Sequence, residues 1–270
     1  MILYQKDSLP SNIEKNILED SKKDFKPITA YTLVNGIVDG YFYKKLNVPK
    51  INERYNGNYI SLLIEYYEKL KKYVNCNKMV GIIQNNGDIY EISRLINNDK
   101  ILCDNNNVTY DEIKKIFINS LQGIQKLEHS MDYTLGIDSA IWNYTKDGIF
   151  FDYDPPKINR KNSSLFITSG DIDYKRRVLY RNFDYIGMRT NTLGTIFLGN
   201  ENWNFNITNL PNNYVDELIN IMLSSIEEKK IINNLEEQIY GMSDMDEFDK
   251  HPINIIRKEL KKWTKKNLYL

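Results

Sequence analysis

The sequence predicts an α+β chain, rich in strands from residue 1 to about residue 96 and mainly helical from 97 to 270. Two strand–turn–strand patterns, around Asn35-Gly36 and around Asn85-Asn86-Gly87-Asp88, fall in the earlier part. Long stretches with apolar residues at helical spacing, 110–127 and 214–231, fall in the later part. No internal repeat and no Ser/Pro-rich linker divides the chain further.

In chain order, 11–22 is a short amphipathic helix with Ile13, Ile17 and Leu18 inward and a cap near Ser11. Residues 28–46 read as two strands about a tight Asn35-Gly36 turn, ended by Pro49. A strong helix follows over 58–74, with Ile60, Leu63, Tyr67, Leu70 and Val74 on one stripe. Residues 79–84 and 89–96 form a second hairpin. The sheet reaches five strands only if 29–34 and 37–46 supply three of them. The polar, Asn-rich 97–108 is a linker or lid. Thr109 then caps a helix over 110–127, and Thr109 with Glu112 fits a capping box.

Beyond Pro156, residues 157–164 are polar and basic. Lys175, Arg176, Arg177 and Arg181 interleave with tyrosines as a solvated basic face. A helix begins over 190–198, 200–211 is a loop, 214–231 is helical, and 253–268 is a last charged amphipathic helix.

Charge and composition exclude several classes of function. Lys+Arg 36 balances Asp+Glu 36, so the broad basic field of a nucleic-acid protein is missing. Two cysteines and two histidines argue against a disulfide framework, a zinc cluster and His-dependent nucleophilic catalysis. No apolar run approaches a membrane span, and the first residues lack the apolar core of a signal peptide. The expectation is a soluble, cytoplasmic protein with neither a membrane nor a nucleic-acid partner.

The chemistry concentrates in 135–156, LGIDSAIWNYTKDGIFFDYDPP. Asp138 is followed five residues later by Asn143, then by a hairpin turned at Lys146-Asp147-Gly148, whose second strand delivers Asp152, Tyr153 and Asp154. Phosphoryl transfer requires such a set: a carboxylate beside the attacking hydroxyl, and an amide with a second carboxylate on Mg²⁺. Asp138 acting only as a helix cap, and 143–154 as a plain polar hairpin, are the structural alternatives.

D-x-x-x-x-N, a hairpin and then hydrophobic-Asp-aromatic resembles the catalytic and metal loops of the protein-kinase-like superfamily. The resemblance is closest to the small-molecule branch that contains aminoglycoside phosphotransferases and choline kinases, and it covers about residues 28–156. It implies a two-lobed fold with a β-rich nucleotide-binding lobe over 1–96 and a helical lobe over 97–270 carrying both loops. It also implies ATP and Mg²⁺ as cofactors. Lys44, or its neighbour Lys45, would neutralise the α/β-phosphates, and Glu65, with Glu68 in reserve, would pair with that lysine. Solvated lysines, and glutamates paired with Lys69 or Lys72 on their own helix, are the bland alternatives. Backbone groups of 91–96, including Glu91, Ile92 and Arg94, would line the adenine pocket. Asp138 would orient the acceptor hydroxyl and take its proton, with Asn143 and Asp152, joined by Asp154, as Mg²⁺ ligands.

Four features depart from the family pattern, one of them the short hairpin from Asn143 to Asp152. Gly136 stands where a His or similar polar residue is usual, no G-x-G-x-x-G loop occurs, and Tyr-Asp-Pro-Pro follows the metal-loop Asp in place of a glycine-containing loop. The function implied is phosphorylation of a hydroxyl on a small polar metabolite, such as an aminoglycoside, amino sugar, nucleoside or choline-like compound. A kinase-shaped nucleotide-binding or scaffold protein without turnover, and a nucleotidyl transferase, are the alternatives.

Overall fold

The computed structural model describes residues 1–5, 9, 12–20, 32–47, 58–102, 106–132, 134–153, 156–158, 179–202, 205–227, 229–230, 257–262 and 265. Asp154, the basic residues Lys175, Arg176 and Arg177, and most of the expected last helix lie outside them. The described chain is a mixed α+β structure built on an antiparallel sheet.

The sheet has five strands: β1 (Ile2–Gln5), β2 (Thr32–Val38), β3 (Tyr41–Leu46), β4 (Met79–Asn85) and β5 (Asp88–Arg94). Their order across the sheet is β1-β4-β5-β3-β2, which puts β5 in the middle. The fifth strand comes from the first residues of the chain and not from a third strand within 28–46. β1 pairs antiparallel with β4 through Ile2↔Ile83 and Gln5↔Gly81.

The first hairpin also turns later than expected, because β2 runs straight through Asn35-Gly36. The turn is Asp39-Gly40, with φ of 47° and 77°, the left-handed pair that a two-residue hairpin loop needs. Gly36 serves a different purpose. It lies opposite Tyr43, whose ring covers it so closely that a Cβ there would sit 2.3 Å from the Tyr43 Oη. The β4–β5 hairpin turns at Asn86-Gly87 with φ of 49° and 88°.

Each face of the sheet buries a different layer. Ile13 and Ile17 of α1 (Ile13–Asp20) pack with Val38, Tyr43, Tyr90 and Ile92. On the other face, Leu63, Tyr66 and Leu70 of α2 (Tyr59–Leu70) join Leu46 and Ile82 in the main core. That core continues without a break into the helical part, through Ile113, Phe117 and Ile124 of α3 (Tyr110–His129).

The cap of α3 is the expected box. The Glu112 amide donates to Thr109 Oγ1 at 3.3 Å and the Thr109 amide donates to Glu112 Oε2 at 2.7 Å. The helix expected from 190 begins earlier, as α4 (Tyr185–Asn202), and α5 (Tyr214–Ser224) follows. Between them β7 (Phe205–Thr208) pairs in parallel with β6 (Asn106–Thr109), in regions that read as loop and linker. These four-residue strands are too short and Asn-rich to show a period, and they pair across about a hundred residues of sequence. Among the described residues, no helix is long and apolar enough to cross a membrane.

Thr109→Ala removes the side-chain half of the cap, so we expect it to lower unfolding stability by about 1 kcal/mol in a urea titration. An unchanged midpoint would mean that tertiary packing alone fixes the start of α3.

Candidate functional site

The stretch after α3 closes on itself around Asp138. A single 3₁₀ turn, Ile141–Asn143, brings the Asn143 amide back to donate to the Asp138 carbonyl at 3.0 Å, which is why these two residues stand five apart. The loop is fastened to α4 by side chains. Ser139 donates to the Met188 carbonyl at 2.7 Å, Asn191 donates to Ser139 Oγ at 3.3 Å, and the Ile141 amide donates to Thr195 Oγ1 at 2.9 Å.

Gly136 departs from the expected polar residue for a steric reason. A Cβ there would meet the Asn182 carbonyl oxygen at 2.0 Å. That same oxygen accepts from the Ile137 amide at 2.9 Å, and the Gly136 carbonyl accepts from the buried Tyr66 hydroxyl at 2.8 Å.

Asp152 arrives on the return of a tight turn in which Gly148 takes a φ of 77°. The Phe151 amide donates to the Asn143 carbonyl at 3.0 Å, and Phe150 exchanges backbone bonds with Asn75 and Asn77 on its other side. Asp152 is thus held one residue beyond the ladder that begins at Asn143.

The expected partner of the strand lysine is corrected. Lys44 pairs with Glu91 at 3.2 Å, and Glu91 is only 3% exposed. The two residues face each other directly across β3 and β5. Glu65 instead meets Lys69 at 3.4 Å on its own helix. Glu68, the reserve, accepts from the Tyr4 hydroxyl at 2.6 Å and ties β1 to α2. Of the two lysines, Lys44 is the one that lines the cavity between the sheet and the Asp152 segment, and Lys45 does not. Strand alternation turns it to the opposite face from Lys44, where it meets Asp88 at 2.7 Å.

The backbone role expected for Glu91, Ile92 and Arg94 also fails. β5 is paired on both edges, so the amides and carbonyls of Glu91 and Ile92 lie in the ladders. The Arg94 amide donates to the Lys78 carbonyl at 2.9 Å, its carbonyl accepts from the Asn77 side chain at 2.9 Å, and the Leu95 amide donates to the Gly40 carbonyl at 3.0 Å. The Arg94 guanidinium lies 4.5 Å from the centre of the Tyr41 ring. What these residues offer a ligand is side chain, with Glu91 inside and Arg94 at the rim.

A cavity of about 220 Å³ opens between the sheet and the segment bearing Asp152. Ile37 of β2 and Leu95 give it apolar walls, Phe151 and Tyr153 form another side, and Lys44 with Glu91 lies at its polar end. It falls below the roughly 300–1,000 Å³ that enclose a drug-sized ligand. A larger cavity of about 670 Å³, beside Glu128, Asp184 and Lys230, lies away from this constellation. There the Glu128 carboxylate is already held by Arg189 at 2.7 Å and Lys230 at 2.6 Å.

Burial pushes the Asp152 carboxyl up to about 6. The positive charges of Lys157 and Lys44 work against that rise, and the negative charges of Asp138 and Glu91 add to it. A desolvated carboxylate beside other carboxylates favours an incoming cation. Asn143 has its amide nitrogen engaged with Asp138, which leaves its side-chain oxygen as the ligand atom it could offer. Among the described residues, no three His, Cys, Asp or Glu side chains gather as a metal site. A hard cation here would therefore rest on one amide, one carboxylate and oxygens supplied by a ligand or water, a set that suits Mg²⁺.

Sequence reasoning missed Lys157, which is buried, and the supports Tyr66, Ser139, Asn191 and Thr195. A signal existed for the last two. The run 190–199, TNTLGTIFLG, carries no charge at all, as a helix buried on every side requires. No protein-family model matches the chain, and no curated protein matches it either.

Asp152 binds its proton more tightly in the folded state than in the unfolded chain, so its ionisation costs stability as pH rises from the unfolded value near 4 through about 6. A rise of about two pH units corresponds to about 3 kcal/mol. We expect Asp152→Asn, without added metal, to be more stable than wild type by that order at pH 7.5, with the gap closing near pH 4. Denaturant melts across this range check it; a gap independent of pH would mean that Asp152 is not desolvated.

Proposed function

We propose that this chain is a small-molecule phosphotransferase with a two-lobed kinase-like fold, using ATP and Mg²⁺ to phosphorylate a hydroxyl of a small polar metabolite. One observation carries the reading: Lys44 lines the cavity together with Phe151 and Tyr153, the two neighbours of Asp152, and the Phe151 amide bonds to Asn143, which closes the Asp138 loop. The order of elements agrees with it. A lysine strand, a helix and a two-strand hairpin precede a long helix that runs toward the Asp138 loop.

On this reading the purine enters between Ile37, Leu95 and Phe151. Lys44, held by Glu91, meets the α/β-phosphates. Asn143 and Asp152 would hold Mg²⁺, which when bound neutralises charge on the phosphates. Asp138 accepts the proton of the acceptor hydroxyl as its oxygen bonds to the terminal phosphorus; the bond to the bridging oxygen breaks and ADP leaves. Positioning and electrostatics supply the rate, since the protein forms no covalent bond.

A nucleotide-holding protein without turnover is the second reading. It is favoured by the turn between β2 and β3, where Asp39-Gly40 offers no glycine-rich cradle for phosphates.

Calorimetry of ATP binding with and without Mg²⁺, on wild type and Asp152→Ala, tests the reading. We expect binding that needs Mg²⁺ and is lost in the variant; absence of binding by wild type would end the kinase assignment. Asp138→Asn should abolish turnover and spare nucleotide binding. If the bound nucleotide is never turned over by wild type, the second reading holds.

The corrected lysine partner makes a separate prediction. Glu91→Gln should lower kcat/KM on the order of 10²-fold, the scale of a misplaced catalytic group, whereas Glu65→Gln should leave it within a factor of about two, as expected of an exposed helix pair. Equal losses from the two variants would contradict the pairing.

A further inference from the structure

The cavity between the sheet and the Asp152 segment has Arg94 in its lining, at the end of β5, with Asn77 beside it. Arg94 stands opposite Tyr41 across β3 and β5, and its guanidinium lies 4.5 Å from the centre of the Tyr41 ring. Stacking on an aromatic face steadies a guanidinium and leaves the N–H groups along its edge free to donate. Among the described residues, no carboxylate pairs with Arg94. The Asn77 side-chain nitrogen donates to the Arg94 carbonyl at 2.9 Å, which leaves the Asn77 side-chain oxygen as an acceptor at the same rim.

The main-chain amides at this rim are already taken. That of Arg94 donates to the Lys78 carbonyl at 2.9 Å and that of Leu95 to the Gly40 carbonyl at 3.0 Å. A base that enters beside Leu95 and Phe151 therefore meets side chains, with a forked donor in Arg94 and an acceptor in Asn77.

Guanine matches that pair. Its O6 and N7 accept together from a guanidinium fork, and its N1–H lies next to them as a donor. Adenine keeps N7 but sets an amino donor where O6 stands and an acceptor at N1, so like groups oppose each other at both contacts. Polar groups brought together without partners cost more than a contact that is merely absent.

We infer that Arg94 and Asn77 form a guanine-reading pair at the rim of this cavity, so that the site prefers GTP to ATP. The inference rests on the phosphotransferase reading above and changes its nucleotide alone. Lys44 and the metal ligands act on phosphates that both nucleotides share, so ATP still binds, more weakly.

The test is calorimetry with GTP, ITP and ATP, each with Mg²⁺, on wild type and Arg94→Gln. ITP retains O6, N7 and N1–H and lacks only the 2-amino group. GTP and ITP should bind about tenfold or more tightly than ATP, the scale of one bidentate base contact, and Arg94→Gln should bring both to the level of ATP. ATP bound as tightly as GTP would overturn the inference and leave the phosphotransferase reading standing. ITP falling to the level of ATP would assign the choice to the 2-amino group, and a GTP preference that survives Arg94→Gln would assign it to other residues; either result overturns the inference. Binding of none of the three by wild type would remove the phosphotransferase reading itself.

A second measurement needs no variant. In 7-deaza-GTP a C–H replaces N7, and wild type should bind it about tenfold more weakly than GTP, the scale of one charge-assisted hydrogen bond. Equal affinity would mean that Arg94 does not reach the base, and this result decides if Arg94→Gln fails to fold.

Discussion

Lys44 and Glu91 face each other across neighbouring strands in the interior of a five-stranded sheet, and the site is arranged around that pairing. A buried ion pair pays heavily in lost hydration and holds only where the geometry is imposed from outside. Here the ladders impose it. β5 is fixed on both edges, so Glu91 cannot withdraw, and the register that brings Tyr41 to Arg94 and Leu46 to Ile89 brings Lys44 to Glu91 as well. The same register turns Lys45 to the other face, toward Asp88. One strand pairing therefore decides which lysine enters the cavity and which carboxylate meets it.

The second constraint is the density of negative charge next to that pair. Asp152 is held at the end of a ladder that starts at Asn143, and Asn143 in turn closes the Asp138 loop. Burial raises the Asp152 carboxyl, Lys157 and Lys44 work against that rise, and Asp138 and Glu91 add to it. Folding tolerates this because the surrounding packing over-determines it: Ser139 and Ile141 are anchored on α4, and Phe150 is bonded to the 75–77 segment.

Local chemistry was legible in the sequence where it is carried by contiguous residues. The capping box at Thr109 and Glu112, the helical stripe of 110–127, the Asn86-Gly87 turn and the spacing of Asp138 and Asn143 all need only a few neighbours to be recognised. What the sequence hid was long-range. Ile2–Gln5 is too short to show alternation, and only β4 makes it a strand. Asn35-Gly36 has the composition of a turn, yet Tyr43 needs that glycine for its ring, and the turn moves to Asp39-Gly40. Glu65 sits at a plausible helix position for meeting a strand lysine, but nothing local reveals that Glu91 is nearer, because cross-strand register is a property of the assembled sheet. Lys157 was hidden for the same reason, since its place beside Gly136 depends on the bridge between Leu135 and Ile158.

The position of Glu91 also changes what α2 can do. A lysine whose carboxylate partner rides on a helix loses that partner when the helix shifts. Lys44 has its partner on the adjacent strand, so displacement of α2 leaves the pair intact. The helix is linked instead to the Asp138 loop: Tyr66 donates to the Gly136 carbonyl, and the Asn182 carbonyl packs so closely on Gly136 that no side chain fits between. α2 is tied at its outer side to β1 through Tyr4 and Glu68. A movement of α2 is therefore transmitted through Tyr66 to the loop of the carboxylate that, on the phosphotransferase reading, would meet the acceptor. On the phosphotransferase reading, a perturbation there alters kcat before it alters nucleotide affinity, the reverse of what a helix-borne glutamate would give.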